Sequence, residues 1–199
     1  QAGTDNLNTT LTTDAYTKAV VVGQSQGAQS ITRWMEQYGA SLPAGEEVTF
    51  VLIANPSRKT GFQSQNGFTV ATPEDSGFTV IDVAREYDGW ADWPDHFNVL
   101  AIINATMGMT SIHNTYEDVT NAPTTVAEVE QAAIDDPDAE QNLVWKSGGT
   151  YYVLNKTDIL PIAIPLTWVG LNAAAKNLSD ALRPTIDAAY DRVEQGDGI

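Results

Sequence analysis

The chain has 199 residues, of which 42% are hydrophobic and none is cysteine. This composition suffices for one domain with a single core, and it excludes disulfides, a thiol nucleophile and thiolate metal sites. The 26 acidic and 10 basic residues give a formal net charge of −16, which disfavours nucleic acid and anionic membranes as partners. From its length we expect a single domain over residues 1–199. The longest apolar stretch, Ile159–Leu171, is interrupted by prolines, so we expect no stable membrane insertion.

Strands and helices alternate along the first half of the chain, as they do in a parallel α/β sheet. The β-rich run Lys18–Val22 predicts a central strand buried on both faces, and Ala28–Tyr38 carries apolar residues at helical spacing. The next two strands are predicted at Glu47–Ala54 and Phe78–Val83, separated by the polar loop Asn55–Gly77. Because this loop leaves the carboxyl end of the second strand, where open α/β sheets bind ligands, we expect it to border the site.

The second half is predicted to add helices and one hairpin. The ranges are Phe97–Met107 for an apolar helix, Thr125–Ile134 for a helix opened by a capping box, Leu143–Trp145 with Tyr151–Leu154 for the hairpin, and Leu171–Val193 for a helix broken near Pro184. Together these elements predict a parallel sheet flanked by helices.

The segment Gly23-Gln24-Ser25-Gln26-Gly27 lies between the first strand and its helix and matches the G-x-S-x-G nucleophile elbow of α/β-hydrolases. In that motif the serine sits at the tip of a strained turn, and both glycines keep side chains clear of the strand and the helix. Ser25 is therefore the predicted nucleophile, and the backbone N–H of Gln26 is the predicted oxyanion donor. The alternative is a glycine-rich turn whose serine only caps a helix.

A serine nucleophile needs a base, usually a histidine held by a carboxylate. His113 lies in a loop after the third strand and its following helix, which fits the chain order serine, acid, histidine. A single surface hydrogen bond is the alternative role for His113. His96 stands at the start of an amphipathic helix, where we expect it to be structural.

Two aspartates follow the third strand within reach of such a histidine. We favour Asp92 as the acid, because the following Trp93-Pro94 fixes a turn that would aim its carboxylate at the histidine. Asp88 is the alternative; it precedes a glycine, as residues of Asx turns often do. Trp90 and Trp93 are candidate walls of an apolar acyl pocket.

The early strands of a full hydrolase sheet are unaccounted for, because only about two dozen residues precede Ser25. One of their loops normally supplies the second oxyanion donor. A strand at an open edge is seldom buried on both faces, as predicted for Val20–Val22. We therefore expect an upstream segment or a neighbouring chain to complete the sheet and to carry that donor, and the chain alone to be poorly stable or inactive.

Five blocks of sequence, in order, resemble the PE-PPE domain, a cutinase-like serine α/β-hydrolase of mycobacteria and their relatives. They are Gly23–Ala28, Phe50–Pro56, Tyr87–Pro94, Asn98–Gly108 and His113–Tyr116, and the resemblance extends from about Ala19 to Tyr190. It implies esterase or lipase activity on acyl esters, a triad of Ser25, Asp92 and His113, and no cofactor.

The leading hypothesis is thus a serine carboxylester hydrolase that is secreted or lies in the cell envelope. The alternative is a catalytically weak structural or binding domain of an envelope or bacteriophage assembly that keeps the hydrolase scaffold. A metal-dependent hydrolase has little support, because the two histidines lack nearby carboxylates at a spacing typical of metal sites.

Overall fold

The computed structural model describes residues 2–13, 18–42, 47–116, 123 and 125–199. The helices are α1 (Ala2–Thr13), α2 (Gln26–Tyr38), α3 (Phe62–Gln65), α4 (Val99–Ser111), α5 (Val126–Asp135), α6 (Ile164–Trp168) and α7 (Asn172–Asp187). The strands are β1 (Lys18–Gln24), β2 (Glu47–Ile53), β3 (Thr79–Arg85), β4 (Asn142–Ser147) and β5 (Thr150–Asn155). Short 3₁₀ turns occupy Gly39–Ser41 and Pro161–Ala163. None of the described helices combines the length and apolarity that a membrane span requires.

The strands form one sheet in the order β1-β2-β3-β5-β4. β1, β2, β3 and β5 run parallel to one another, and β4 pairs antiparallel with β5 as the predicted hairpin. In register, Val22 lies beside Val51 and Val51 beside Ile81. The predicted α/β fold, a mostly parallel sheet flanked by helices, is therefore confirmed, and the carboxyl ends of β1, β2 and β3 meet at one edge.

One face of the sheet is covered by α1 and α2. Trp34 of α2 packs against Phe50 and Phe78, with ring centroids 5.5 and 5.7 Å away. The polar N-terminal segment forms α1, a helix that its composition did not predict; its Leu11 is buried in this cluster. The indole N–H of Trp34 donates to Asn8 of α1 at 3.2 Å, so α1 is held against α2.

The other face of the sheet is covered in part by α5, whose Val129 belongs to a buried cluster with Val51, Val83 and Val153. The capping box predicted at the start of this helix is confirmed. The helix contacts β4 and β5, at the end of the sheet away from β1. β1, the strand that leads into the serine turn, is therefore not covered by α5.

The prediction that Val20–Val22 is buried on both faces is wrong. Val20 and Val22 are 53% and 57% exposed, whereas Val21 packs against the α2 cluster. In the part of the chain that the structure describes, β1 pairs with β2 alone. The continuous valine run is typical of a central strand, but the strand order places it at the end of the sheet.

α4 and α7 agree with the prediction except at their ends, whereas the short helices α3 and α6 were not predicted. α4 begins at Val99, because the Asn98 side chain caps it by accepting from the N–H groups of Leu100 and Ala101. α7 ends at Asp187, short of the predicted limit at Val193, and contains Pro184 in its last turn. α4 and α7 pack on Tyr87, the second residue after β3, and so support the loop that follows that strand.

Candidate active site

Ser25 occupies a sharp turn between β1 and α2. Its backbone has φ 50° and ψ −111°, a conformation that L-residues rarely adopt. The Ser25 N–H donates to the carbonyl of Ile53 at 2.8 Å, so the turn is attached to the end of β2. The strand, the strained serine and the helix form the predicted elbow.

The two glycines of the motif have different surroundings. A Cβ on Gly23 would lie 2.6 Å from Ile31 Cδ1 and 2.7 Å from the carbonyl carbon of Gly27, so no larger residue fits there. A Cβ on Gly27 would meet no described atom within 4 Å outside its own helix and chain neighbours. The prediction that both glycines prevent a collision is therefore confirmed for Gly23 and wrong for Gly27 in the described structure.

Backbone strain recurs at the same edge of the sheet. Ala54 after β2 has φ 52°, and Tyr87 after β3 has φ 63°. With Ser25 after β1, non-glycine residues in the left-handed region follow three successive parallel strands. Such strain is typical of functional sites, where the surrounding structure over-determines the backbone.

The Ser25 hydroxyl faces His113, which lies just after α4. His113 Nε2 is 2.8 Å from Ser25 Oγ, and His113 Nδ1 is 2.8 Å from Asp88 Oδ2. Asp88 is fully buried and the imidazole is mostly buried. The structure thus brings together a hydroxyl, an imidazole and a carboxylate in the sequence that a serine nucleophile requires.

Asp88 accepts hydrogen bonds on both carboxylate oxygens. The Tyr116 hydroxyl donates to Oδ2 at 2.8 Å, and the Trp90 N–H donates to Oδ1 at 3.1 Å. The latter bond closes the Asx turn that the sequence suggested for Asp88. Burial, first, and the adjacent Asp88 carboxylate raise the pKa of Tyr116 well above its usual value, so this phenol stays a donor.

Asp92 does not contact the histidine, contrary to our preference for it as the acid. It forms a two-pronged ion pair with Arg192, with N–O distances of 2.6 and 2.8 Å, and also accepts from the Tyr87 N–H at 2.8 Å. Its carboxylate is thereby used to join the loop after β3 to the C-terminal segment. His96 lies on the surface, 2.8 Å from Asp191.

Gln26 is the first residue of α2. The backbone N–H groups of the first turn of a helix have no partner within the helix, and its dipole favours negative charge. The N–H of Gln26 is therefore suited to the predicted oxyanion role. Within the described residues no strand precedes β1, so no earlier loop there supplies a second donor.

The loop between β2 and β3 borders the site, as predicted. The side-chain amide of Gln63 in α3 contacts that of Gln29, which lies one turn after Ser25 in α2. The Trp93 N–H donates to the carbonyl of Thr60 at 2.7 Å. The loop therefore touches both the elbow helix and the segment that follows Asp88.

A buried ion pair that the sequence did not reveal anchors this loop. Arg58 Nη1 donates to Asp82 Oδ1 at 2.9 Å, and the Asn55 amide donates to Asp82 Oδ2 at 2.9 Å. The guanidinium lies about 5 Å from the ring centroids of Trp145 and Tyr152. Burial raises the pKa of Asp82 above its usual value, so the pair depends on these partners to offset desolvation.

The mostly parallel sheet, with its serine turn at the carboxyl edge, places the chain in the α/β class with a hydrolase-like architecture. The sequence profile of the PE-PPE domain matches residues 1–191. The chain therefore belongs to the PE-PPE domain family, as the resemblance of the five sequence blocks suggested.

Curated relatives of this chain come from Mycobacterium tuberculosis (strain ATCC 25618 / H37Rv). Esterase PE16 is 32% identical over 89% of this chain and 34% of its own length. SL1278 acyltransferase Chp1 is 28% identical over 95% and 47%, and diacyltrehalose acyltransferase Chp2 is 24% identical over 87% and 51%. The chain thus spans about a third to a half of these relatives. No solved structure matches it.

Proposed function

We propose that this chain is a serine carboxylester hydrolase that acts on acyl esters through Ser25, His113 and Asp88. The observation that carries the proposal is the continuous series of two 2.8 Å contacts from Ser25 Oγ through His113 to Asp88. The proposed acid is Asp88, because Asp92 is engaged by Arg192.

In the proposed mechanism, His113 Nε2 takes the proton of Ser25 as Oγ attacks the ester carbonyl. The Gln26 N–H holds the developing oxyanion, and Asp88 accepts the Nδ1–H and stabilises the imidazolium. The imidazolium then protonates the leaving alcohol, which departs as the acyl-enzyme forms. His113 next activates water, and the same steps release the acid and restore Ser25. No step requires a cofactor.

Acyl transfer to an alcohol is the second candidate function. Two of the relatives are named acyltransferases and one is named an esterase. The two reactions share the acyl-enzyme and differ in whether water or an alcohol attacks it.

We place the protein in the secreted or cell-envelope fraction, where lipid esters are available to it.

Labelling with a fluorophosphonate probe and hydrolysis of p-nitrophenyl butyrate test the proposal. Ser25→Ala should abolish labelling and lower kcat by about three orders of magnitude or more, because members of a triad act as a unit. Ser30→Ala is the matched control: this serine lies in α2, the helix that follows Ser25, and its hydroxyl donates to the Gln26 carbonyl. Comparable activity of Ser25→Ala and Ser30→Ala would refute the role of Ser25.

Adding trehalose as an acceptor to the same assay separates the two reactions. A hydrolase releases the free acid at an unchanged rate, whereas a transferase yields acylated sugar at the expense of the acid. Both outcomes require labelling of Ser25.

A further inference from the structure

A row of aromatic rings leads from His113 to the protein surface. The Trp90 ring centroid lies 6.3 Å from that of His113, the Phe62 centroid lies 6.0 Å from Trp90, and the Phe68 centroid lies 5.7 Å from Phe62. We call Trp90, Phe62 and Phe68 the aromatic row. Trp93 backs it, with its ring 4.8 Å from that of Phe62.

Backbone contacts hold the inner part of the row beside the serine. The backbone of Gly61 lies so close to that of the acid loop that a Cβ on it would stand 2.7 Å from the Trp90 carbonyl oxygen. The Thr60 hydroxyl donates to the Ala91 carbonyl at 3.0 Å. Gln63, the residue after Phe62, contacts the elbow helix α2. Phe62 is therefore held between that helix and the acid loop.

A tight turn fixes the outer end of the row. Gly67 has φ 72°, and the Phe68 N–H then donates to the Gln63 carbonyl at 2.8 Å. This turn places the Phe68 ring on Phe62 and still leaves Phe68 71% exposed. Val70, two residues on, is 58% exposed. Neighbouring exposed apolar groups beside a candidate active site are typical of interaction or ligand sites.

The row is also uncharged. Residues 60–73 contain no Asp, Glu, Lys or Arg, in a chain whose formal net charge is −16. Aromatic rings on a segment that itself carries no charged residue favour an apolar ligand over an ionic one. The row begins at the imidazole beside Ser25, so an apolar part of an ester held at Ser25 can lie along it.

We propose that the acyl chain of the ester lies along the aromatic row, with its carbonyl at Ser25 and its far end on Phe68. This inference rests on the proposed function and adds the substrate class: esters of medium to long acyl chains. A short acyl group reaches Trp90 alone, whereas a longer one also covers Phe62 and Phe68. The row thus contributes binding free energy in proportion to the apolar area that the chain covers.

The dependence of activity on acyl length tests the row. Phe68→Ala should lower kcat/KM about tenfold for p-nitrophenyl dodecanoate, because the far end of the chain loses its contact. It should leave kcat/KM for p-nitrophenyl acetate within about twofold of the parent value, since the acetyl group ends before Phe68. The control is Phe97→Ala, which removes another exposed ring (86%) that lies just before α4; neither ester should be affected. An equal loss for both esters, or no loss for either, would overturn the proposal.

Direct binding separates failure of the row from failure of the proposed function. A fluorescent dodecanoyl probe is titrated against Ser25→Ala and against Ser25→Ala with Phe68→Ala, so turnover plays no part. We expect the second substitution to raise Kd about tenfold. Equal Kd values would refute the row even if the parent protein hydrolyses esters. A parent protein that hydrolyses neither ester, with the Kd difference present, would refute the hydrolase and retain the acyl site. If Phe68→Ala changed the rate of acyl transfer to trehalose but left the Kd of the dodecanoyl probe unchanged, the row would bind the acceptor and not the acyl chain.

Discussion

The hydroxyl of Tyr116 donates to Asp88 Oδ2 at 2.8 Å, the same oxygen that faces the imidazole of His113. The tyrosine oxygen in turn accepts the Arg85 N–H at 2.7 Å. Tyr116 therefore connects the end of β3 to the carboxylate and restricts the rotation of that carboxylate.

Tyr116→Phe is expected to lower kcat about tenfold with little change in KM, because the aspartate keeps its charge but loses the donor that orients it. The substitution also leaves the partly buried Arg85 N–H without this acceptor, which costs up to about 1–3 kcal/mol of stability. Steady-state kinetics and urea unfolding measure the two effects. Tyr152→Phe, which removes a hydroxyl bonded to Glu74, is the control and should leave kcat unchanged. An unchanged kcat in Tyr116→Phe would exclude the positioning role.

The two aspartates after β3 should respond differently to amide substitution. Asp88→Asn is expected to lower kcat by about 10⁴, the effect of removing the carboxylate from such a triad. Asp92→Asn should instead lower stability by up to about 3 kcal/mol, because Arg192 loses its partner, while kcat of the folded protein stays within about tenfold. Kinetics on samples verified as folded by circular dichroism decide between them, and the reverse ranking would return the acid role to Asp92.

The two glycines of the elbow motif should respond differently to substitution by alanine. Gly23→Ala forces atoms into Ile31 and the backbone of Gly27, so we expect little folded protein. Gly27→Ala has free space and lies inside α2, where alanine favours the helix by about 0.5–1 kcal/mol. Thermal unfolding should therefore show a higher Tm for Gly27→Ala in this chain. A lower Tm would mean that another group occupies the space beside Gly27.

The buried pair of Arg58 and Asp82 should be strongly coupled. Arg58→Met leaves an uncompensated buried carboxylate and is expected to cost about 3–5 kcal/mol. Adding Asp82→Leu should recover a large part of that loss, because two apolar side chains replace the pair. Urea unfolding of the parent, both single variants and the double variant forms the cycle. Additive losses would show that the ion pair contributes no coupling.

Completion of the sheet at β1 remains a prediction. If a further strand pairs with β1, its amide hydrogens that point away from β2 should exchange quickly in this chain and slowly in a longer protein or complex that supplies the strand. Hydrogen–deuterium exchange of peptides from β1 measures this, with peptides from β3 as the control that is protected in both samples. Equally fast exchange of β1 in every form would contradict the prediction.

Local sequence patterns predicted the parts of the site that depend on neighbouring residues. The G-x-S-x-G motif located Ser25, because a strained turn between a strand and a helix requires small residues at fixed positions. His113 was preferred over His96 because it is the last histidine and lies in a predicted loop, whereas His96 stands at the start of a predicted helix. These inferences needed no knowledge of how distant segments pack, and the structure places both side chains within 2.8 Å of each other.

Distant partners account for what the sequence did not predict. Asp92 pairs with Arg192, 100 residues later in the chain, and nothing in the local sequence marks that contact. The Asx turn expected at Asp88 made it only the alternative acid, yet one carboxylate oxygen closes the turn and the other faces the histidine. The exposure of Val20 and Val22 depends on strand order, which a valine run does not encode.

The serine turn ends a strand whose outer edge is free of described partners. A peptide in extended conformation that added itself to β1 would form main-chain hydrogen bonds within a few residues of Ser25 without entering the acyl site. Such an addition would immobilise the strand that leads into the turn and change the freedom of the nucleophile. The effect of an added strand would therefore reach the proposed nucleophile through the backbone of β1, and it would depend on main-chain pairing more than on the peptide's side chains.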